Sequence, residues 1–329
     1  MRITALLLVV LSGMFNLRAQ TTNTTPNPAP PPWPSNLDEF TVKTNSPENQ
    51  LVPFYVRIPK GFDPQQAGPY RVLFICPPHN YDGLKTFRNK SDYQELLAVA
   101  DQRKWFVVSP TFIQKGNVQD RTLCYYYPET FSGKAVTDAL DLIAQKYPVD
   151  INHIFVHGFS GGAQFAHRFA LWAPGRVVAA AINSSSWFDD PTPACNQVAW
   201  LVTIGESDPS FENTLGFIGK LQDAGVAPLF RSYIGLLHAD AGDSQVVHLD
   251  AEFLKFYDDQ TRSQLGKTND GFQTAPTVAM QAKDMPFVGD NQMWEYVPNT
   301  DANVSLIAED SRVYLPSKEI ADVWGTPKK

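Results

Sequence analysis

Cysteine is scarce in this sequence, with only Cys76, Cys124 and Cys195 among 329 residues. Three scattered cysteines are too few for a disulfide framework, and they lack the close spacing of a zinc site. Cys76 ends an apolar, strand-like run and is expected to be a buried thiol. Cys124 and Cys195 are the candidate pair, and two alternatives stay open for them, one disulfide bridge or two free thiols.

Positive charge is also in short supply. The sequence has 27 lysine and arginine residues against 34 aspartate and glutamate residues, a formal net charge of −7 at pH 7. It contains no basic run that would follow a phosphate backbone or an anionic membrane surface, so we expect no nucleic-acid partner. It also lacks a glycine-rich phosphate loop, a carboxylate cluster and His/Cys ligand spacing, and therefore predicts no cofactor and no metal ion.

No hydrophobic run in the sequence is long enough to span a membrane. A membrane span takes about 20 apolar residues, and the apolar stretch at residues 3–11 is shorter than that. That stretch follows Arg2 and precedes the small residue Ala19. The pattern is typical of a secretory signal peptide, here residues 1–19, and predicts a secreted or periplasmic protein. Residues 20–36 are rich in threonine, asparagine and proline, which predicts an extended linker and disfavours the alternative of a buried N-terminal helix.

From Leu37 to residue 261, apolar runs alternate with helix-like segments. The runs predict strands at residues 52–58, 71–76, 105–109, 153–157, 177–182, 199–204 and 229–234. Several are almost continuous in Val, Ile, Leu, Phe or Ala, which is typical of parallel strands covered on both faces. Helical spacing is found at residues 134–147, 163–172, 217–226 and 251–257. The alternation predicts an α/β fold with a mostly parallel central sheet and helices on both faces.

The pattern breaks near Arg262. The remaining residues are polar and turn-rich, with apolar islands at 285–288, 293–297 and 313–315. We therefore predict a catalytic domain at residues 37–261 and a C-terminal extension at residues 262–329. The extension either lies on the main domain or is a partly ordered tail, and its sequence indicates no role.

Residues 158–162, Gly-Phe-Ser-Gly-Gly, stand between a strand-like run and a helix-like one. The pattern Gly-x-Ser-x-Gly suits a sharp strand-to-helix turn, because the flanking glycines remove side chains that would clash around a strained serine. The Ser160 hydroxyl would then project above the sheet edge, where it can attack a carbonyl. Such a short pattern also recurs by chance, so its meaning depends on partners elsewhere in the chain.

A serine hydroxyl needs a base within hydrogen-bond reach, usually a histidine held by a carboxylate. Of the six histidines, those at positions 153, 157 and 167 lie on the strand and helix that flank the serine. His238 follows the last strand, where α/β sheets gather their chemistry, and is the predicted base, with His248 as the alternative. Asp208 follows the strand at 199–204 and is the predicted acid. The alternatives for the acid are Asp189, Asp190 and Glu206.

The order Ser160, Asp208, His238 is that of α/β-hydrolases and not that of chymotrypsin or subtilisin. Residues 147–167 resemble the core of secreted α/β-hydrolase esterases related to polyhydroxybutyrate depolymerases, feruloyl and acetylxylan esterases and dienelactone hydrolases. Residues 205–208 and the loop around His238 are similar to the acid and histidine segments of those families. The resemblance covers residues 50–260. It implies the α/β-hydrolase fold and an ester substrate such as a plant-polysaccharide or polyester fragment.

The segment after the strand at 71–76 departs from those families, many of whose members carry His-Gly there. This chain has Cys-Pro-Pro-His-Asn-Tyr at residues 76–81. Proline has no backbone N–H, so neither proline can donate to a developing oxyanion. We therefore predict His79 or Asn80 as the first donor. The backbone N–H of Gly161, at the start of the following helix, is the predicted second donor.

Two loops predicted at the same rim carry aromatic side chains, Tyr125 and Tyr126 in one and Trp187 and Phe188 in the other. Exposed rings there would stack on a sugar or on an aromatic acyl group. The alternative is that they pack over the core as a lid.

These residues predict a serine esterase that forms an acyl-enzyme on Ser160, with His238 as the base and Asp208 holding the imidazole. The same groups also cleave amides, so a serine peptidase of the same fold is one alternative. A non-catalytic binding protein on a hydrolase scaffold is another, suggested by the two prolines and the extension.

Overall fold

The computed structural model describes residues 36–65, 68–88, 92–114, 117–238, 243–271 and 282–328. The predicted signal peptide, and the predicted linker up to residue 35, lie outside the described residues. Within the described ranges, no helix combines the length and apolar character that crossing a membrane requires.

An eight-stranded sheet runs through the main part of the chain. Its strands are β1 (Leu37–Lys43), β2 (Leu51–Arg57), β3 (Tyr70–Cys76), β4 (Phe106–Pro110), β5 (Val149–Phe159), β6 (Val177–Asn183), β7 (Ala199–Gly205) and β8 (Leu229–Tyr233). They are arranged in the order β1-β2-β4-β3-β5-β6-β7-β8. Strand β2 is antiparallel to both of its neighbours, β1 and β4, and the six strands β4-β3-β5-β6-β7-β8 are parallel to one another. Every residue of β6 and β7 is buried, which explains their continuous apolar sequences.

In the part of the chain that the structure describes, five helices pack on this sheet. They are α1 (Gln94–Arg103), α2 (Gly133–Lys146), α3 (Gly161–Trp172), α4 (Phe211–Asp223) and α5 (Ser244–Thr261). Helix α2 buries Val136, Ala139, Leu140 and Ile143, the apolar stripe that predicts it. The predicted α/β class is therefore confirmed. Strand β1 and helix α1 are absent from the sequence prediction, since β1 is an edge strand with one buried residue, Val42, and gives no apolar run.

The arrangement of β3 and β5 places the candidate site. These two strands are neighbours, but the chain leaves β3 toward β4 on one side and leaves β5 toward β6 on the other. Ligands of open α/β sheets bind in the crevice that such a change of direction leaves at the carboxyl ends of the strands. Ser160 follows β5, and the segment with His79 follows β3, so both lie at that crevice.

The described part of the C-terminal extension contains strands and helices of its own. They are β9 (Phe287–Asp290), β10 (Glu295–Pro298), α6 (Asp301–Val304), β11 (Arg312–Leu315), α7 (Lys318–Trp324) and β12 (Thr326–Pro327). The strands form a second sheet in the order β11-β9-β10-β12. Three of these strands coincide with the apolar islands of the sequence.

The extension packs on the edge strand β8 of the main sheet. Trp324 is fully buried, and its indole N–H donates to the carbonyl of Phe230 at 2.7 Å. The guanidinium of Arg231 lies 3.8 Å from the ring centre of Trp294, within range of a cation–π interaction. An exposed edge strand is prone to pair with other chains, and the extension covers this one.

The cysteines are all buried free thiols in the structure, so the disulfide alternative for Cys124 and Cys195 is wrong here. Burial raises the pKa of the Cys124 thiol to about 11, so that thiol is protonated at neutral pH. The backbone carbonyl of Cys195 accepts a hydrogen bond from the indole N–H of Trp200 at 3.0 Å. Each cysteine therefore packs as a small apolar residue.

Candidate active site

Ser160 occupies a strained turn between β5 and α3. Its backbone angles are φ 54° and ψ −119°, in a region that non-glycine residues rarely adopt. A Cβ on Gly162 would lie 2.0 Å from the carbonyl oxygen of Cys76, and one on Gly158 would lie 2.4 Å from that of Gly162. Both flanking positions therefore require glycine. The backbone N–H of Ser160 donates to the carbonyl of Asn183 at 3.0 Å, which fixes the turn against β6.

The three side chains predicted for catalysis form one line of hydrogen bonds. The Ser160 Oγ lies 2.8 Å from Nε2 of His238, and Nδ1 of His238 lies 2.7 Å from Oδ2 of Asp208. The Asp208 side chain is fully buried, whereas that of His238 is 36% exposed. With Nδ1–H donated to the buried carboxylate, the lone pair of Nε2 faces the serine hydroxyl. This arrangement allows the imidazole to take the serine proton.

The loops that carry Asp208 and His238 are tied to each other. The backbone N–H of Ser207 donates to the carbonyl of Leu236 at 3.1 Å. A Cβ on Gly205 would lie 2.2 Å from that same carbonyl oxygen, so only glycine lets the two loops approach. The second oxygen of Asp208, Oδ1, accepts the backbone N–H of Ser210 at 2.8 Å, which orients the carboxylate at the start of α4.

The alternative acids and the alternative base are engaged elsewhere. His248 on α5 binds Glu95 on α1. The three other carboxylates each have a separate partner: Asp189 pairs with Arg168 at 2.9 Å, Asp190 pairs with Lys220 at 2.6 Å, and Glu206 accepts the hydroxyl of Ser232 at 2.7 Å.

The segment after β3 forms a turn that distinguishes the two predicted oxyanion donors. The backbone N–H of Tyr81 donates to the carbonyl of Pro78 at 3.0 Å. Asn80 has φ 56°, and its side-chain oxygen accepts the backbone N–H of Gln114 at 3.0 Å, so this side chain braces a neighbouring loop. The backbone nitrogen of His79, by contrast, would lie 2.9 Å from a Cβ placed on Gly161. The geometry therefore favours His79 over Asn80 as the donor beside Gly161.

The aromatic side chains predicted to bind substrate have different surroundings. Tyr125 is 1% exposed and stacks on Phe112 with ring centres 4.9 Å apart, so its prediction as a substrate contact is wrong. Phe188 is half-buried and stacks on Phe217 at 4.2 Å, which also favours the packing alternative. Trp187 is 57% exposed and available to a ligand. Tyr126 is buried, with its hydroxyl 2.7 Å from Nδ1 of His79.

A buried polar cluster beneath Ser160 is absent from the sequence prediction. Asp250 on α5 is fully buried, and its Oδ2 lies 2.9 Å from Nε2 of His157 and 2.7 Å from Nδ2 of Asn183. The carbonyl of Asn183 is the one that accepts the Ser160 N–H. One carboxylate thus joins β5, β6 and the helix that follows the His238 loop. A sequence signal exists, because Asp250 stands among the apolar residues of the buried face of α5.

The buried position of His167 on α3 should make the stability of the fold depend on pH. It is fully buried: Nδ1–H donates to the carbonyl of Ala163 at 2.9 Å, and Nε2 accepts the backbone N–H of Asp189 at 3.2 Å. Burial, and then the charge of Arg168, holds the pKa of His167 well below its usual value. An unfolded histidine binds a proton below a pH of about 6.5, whereas the folded one does not. The contribution of His167 to the free energy of unfolding should therefore fall by about 1.4 kcal/mol for each pH unit below that pH.

This dependence is measured by urea unfolding at several values between about pH 5.5 and pH 7.5. The control is His167→Asn, which keeps a donor near the Ala163 carbonyl but does not titrate. The gap in unfolding free energy between the wild type and this variant should narrow as the pH falls. Parallel curves would show that His167 becomes protonated without unfolding.

Comparison with known proteins gives similarity in structure and not in sequence. No protein-family model and no curated protein sequence matches the chain. Among the solved structures that resemble it is a fluorophosphonate-binding serine hydrolase from Staphylococcus aureus, with 16% identity, a TM-score of 0.51 and a match over 66% of this chain and 97% of the other. Another is a poly(3-hydroxybutyrate) depolymerase from Bordetella parapertussis, with 14% identity, a TM-score of 0.50 and a match over 72% of this chain and 92% of the other. A putative dipeptidyl aminopeptidase IV from Bacteroides ovatus has 17% identity, a TM-score of 0.52 and a match over 68% of this chain and 35% of the other.

These similarities, together with the sheet described above, show that the chain has the α/β-hydrolase fold. The match extends over nearly the whole of the Staphylococcus hydrolase but over about a third of the Bacteroides protein. It also spans 55% of a thermostable esterase. At such identities the likeness concerns the fold, so chemistry must be argued from the side chains of this chain.

Proposed function

We propose that this chain is a secreted serine esterase that hydrolyses carboxylic esters through an acyl-enzyme on Ser160. The observation that carries the proposal is the line of hydrogen bonds from Ser160 through His238 to the buried carboxylate of Asp208. A hydroxyl, an imidazole and a carboxylate in this order are the parts that nucleophilic acyl transfer requires. Their convergence from three separate loops at the crevice of an α/β-hydrolase sheet argues against a chance arrangement.

In the acylation step, Ser160 Oγ attacks the ester carbonyl carbon while its proton passes to Nε2 of His238. The electron pair of the carbonyl moves onto its oxygen, which becomes an oxyanion. Asp208 accepts the Nδ1–H throughout and stabilises the imidazolium that forms. When the tetrahedral intermediate collapses, the bond to the alcohol oxygen breaks, and His238 returns the proton to the leaving alcohol.

Deacylation repeats these steps with water. His238 takes a proton from a water molecule that attacks the acyl carbon, and then returns it to Ser160 as the acid is released. The oxyanion of each step would lie between the backbone N–H groups of Gly161 and His79. Donors fixed in advance at that point are worth about 10²- to 10³-fold in rate each.

The substrate class rests on the resemblance of residues 147–167 to secreted esterases, and the fold shared with a poly(3-hydroxybutyrate) depolymerase is compatible with it. We propose a carboxylic ester of a polyester or plant-polysaccharide fragment, with the exposed ring of Trp187 at the rim as a contact for it. Export is proposed from the signal-like residues 1–19 and is tested by mapping the N-terminus of the mature protein.

Labelling with a fluorophosphonate tests the proposal. The folded protein at neutral pH should form a covalent adduct, and mass spectrometry should place it on the peptide that contains Ser160. Heat-denatured protein is the control, because an isolated serine hydroxyl without its base reacts negligibly. A panel of short acyl esters, poly(3-hydroxybutyrate) oligomers, feruloyl and acetyl sugars and a peptide amide then identifies the substrate.

Each outcome bears on the proposal. An adduct on Ser160 together with turnover of esters supports a serine esterase. An adduct with turnover of the peptide alone would replace the esterase by a peptidase. No adduct and no turnover by folded protein would leave a binding protein on a hydrolase scaffold.

A further inference from the structure

The hydroxyl of Tyr126 lies beside Gly161, whose backbone N–H is a predicted oxyanion donor, and the function proposed above assigns this hydroxyl no role. A Cβ placed on Gly161 would be 2.8 Å from this hydroxyl, 2.9 Å from the backbone nitrogen of His79 and 3.0 Å from the Cβ of His79. Both the phenol and the His79 backbone therefore converge on the first residue of α3. Glycine at position 161 leaves this space to them, since any larger residue would collide with the phenol.

The position of Tyr126 is fixed by packing and by one hydrogen bond. The residue is 5% exposed, and its ring meets that of Tyr125 edge to face at 4.8 Å. Its hydroxyl lies 2.7 Å from Nδ1 of His79, whose side chain is otherwise at the surface. Burial raises the pKa of the Tyr126 phenol, so the hydroxyl keeps its proton at neutral pH.

The tautomer of His79 decides what the phenol can do. A neutral imidazole carries its proton on one ring nitrogen and accepts at the other. If Nδ1 accepts, the Tyr126 proton is used within the pair, and the hydroxyl merely braces the loop. If Nδ1–H donates to the phenol oxygen, the Tyr126 proton is free to point toward the crevice. Solvent can satisfy Nε2 of the exposed His79 in the second case, so this tautomer leaves no buried group unpaired.

We propose that Tyr126 is a catalytic residue whose hydroxyl donates a third hydrogen bond to the oxyanion, and that Nδ1–H of His79 orients it. This inference rests on the proposed esterase function and adds a donor that the two prolines of the preceding segment cannot supply. The phenol keeps its proton throughout the reaction, because it stabilises the negative charge on the carbonyl oxygen without transferring the proton. Every covalent change involves Ser160, His238, the substrate and the water molecule that hydrolyses the acyl-enzyme.

The test compares Tyr126→Phe with the wild type in ester hydrolysis. Loss of one oxyanion donor should lower kcat by about 10²-fold and leave KM within about threefold, since the bond forms only in the transition state. Binding of a trifluoromethyl ketone, which forms a tetrahedral oxyanion on Ser160, should weaken by the same factor as kcat/KM falls. Thermal unfolding of each variant is measured to establish that it is folded.

Tyr127→Phe is the matched control. It makes the same change in the neighbouring tyrosine, whose ring lies 4.5 Å from the guanidinium of Arg121 and 4.6 Å from that of Arg168. Activity of this variant should stay within about twofold of the wild type, since the Tyr127 side chain hydrogen-bonds to Arg121 and the change removes only that bond.

His79→Ala distinguishes a donor from a brace. This variant keeps the backbone N–H and removes only the imidazole, so the phenol stays in place and loses its orientation. We expect about a tenfold loss of kcat, the effect of one hydrogen bond, and therefore clearly less than the loss in Tyr126→Phe. Equal losses in the two variants, or wild-type activity in Tyr126→Phe, would overturn the inference. A wild-type protein without ester turnover or a fluorophosphonate adduct would overturn the esterase function and this inference with it.

Discussion

Ser160→Ala should lower kcat for ester hydrolysis by about 10⁴- to 10⁶-fold while the protein stays folded. The loss is large because the variant cannot form an acyl-enzyme, and the reaction must proceed by direct attack of water. Substrate binding should persist, because the rim around Trp187 is unchanged. The measurement is the initial rate with the best ester of the panel, with KM or the affinity for a product determined in parallel.

Two further substitutions make this prediction more specific. His238→Ala should be as damaging as Ser160→Ala, and the double variant should be hardly worse than either one, because the two residues act as a unit. Ser305→Ala is the control for the effect of replacing a serine far from the proposed chemistry. Ser305 lies in the extension, and its hydroxyl donates to the carbonyl of Ala302. Ser160→Ala with more than a few per cent of wild-type activity would mean that the nucleophile is another residue.

The sequence predicts most of the main sheet because its strands are buried on both faces. β6 and β7 are continuous apolar runs, and the residues that follow β5, β7 and β8 are the ones that meet at the crevice. The carboxyl ends of parallel strands lie at one edge of a sheet, so the sequence alone predicts that Ser160, Asp208 and His238 lie close together. This prediction is possible because each of the three residues follows a strand that its apolar composition identifies.

Other parts of the site depend on distances between chain segments that have no sequence pattern in common. Tyr126 lies in a loop and Gly161 at the start of α3, and the two residues are close in space although they are far apart in sequence. The sequence predicts only that the ring of this tyrosine stacks on a substrate. The presence of aromatic residues in two predicted loops likewise does not indicate which of them are buried, as Tyr125 is, and which are exposed, as Trp187 is. The choice between His79 and Asn80 depended on the turn at Pro78, in which Asn80 takes a positive φ and directs its side chain to Gln114.

Asp258→Ala should lower the free energy of unfolding by about 3–5 kcal/mol, because it leaves a buried guanidinium without its carboxylate. Asp258 on α5 is fully buried, and Arg71 on β3 is 1% exposed. Their closest atoms, Nε of Arg71 and Oδ1 of Asp258, are 3.4 Å apart. Burial lowers the pKa of Arg71 to about 10, although the charge and hydrogen bond of Asp258 act against this decrease. Without Asp258, the desolvation of Arg71 would be opposed by its hydrogen bonds to the carbonyl of His153 and to Thr261 and by the charge of Asp150.

The neighbouring residue provides the control for this prediction. Asp259 has a side chain that is 55% exposed and pairs with Arg103, so Asp259→Ala should change stability by less than about 1 kcal/mol. Replacing the buried pair together, as Arg71→Met with Asp258→Leu, should recover much of the loss, because neither charge of the pair then remains in the core. Urea unfolding of the four proteins measures these differences. Equal stability of Asp258→Ala and Asp259→Ala would mean that water reaches Arg71 as soon as its partner is removed, so that its guanidinium is not left desolvated.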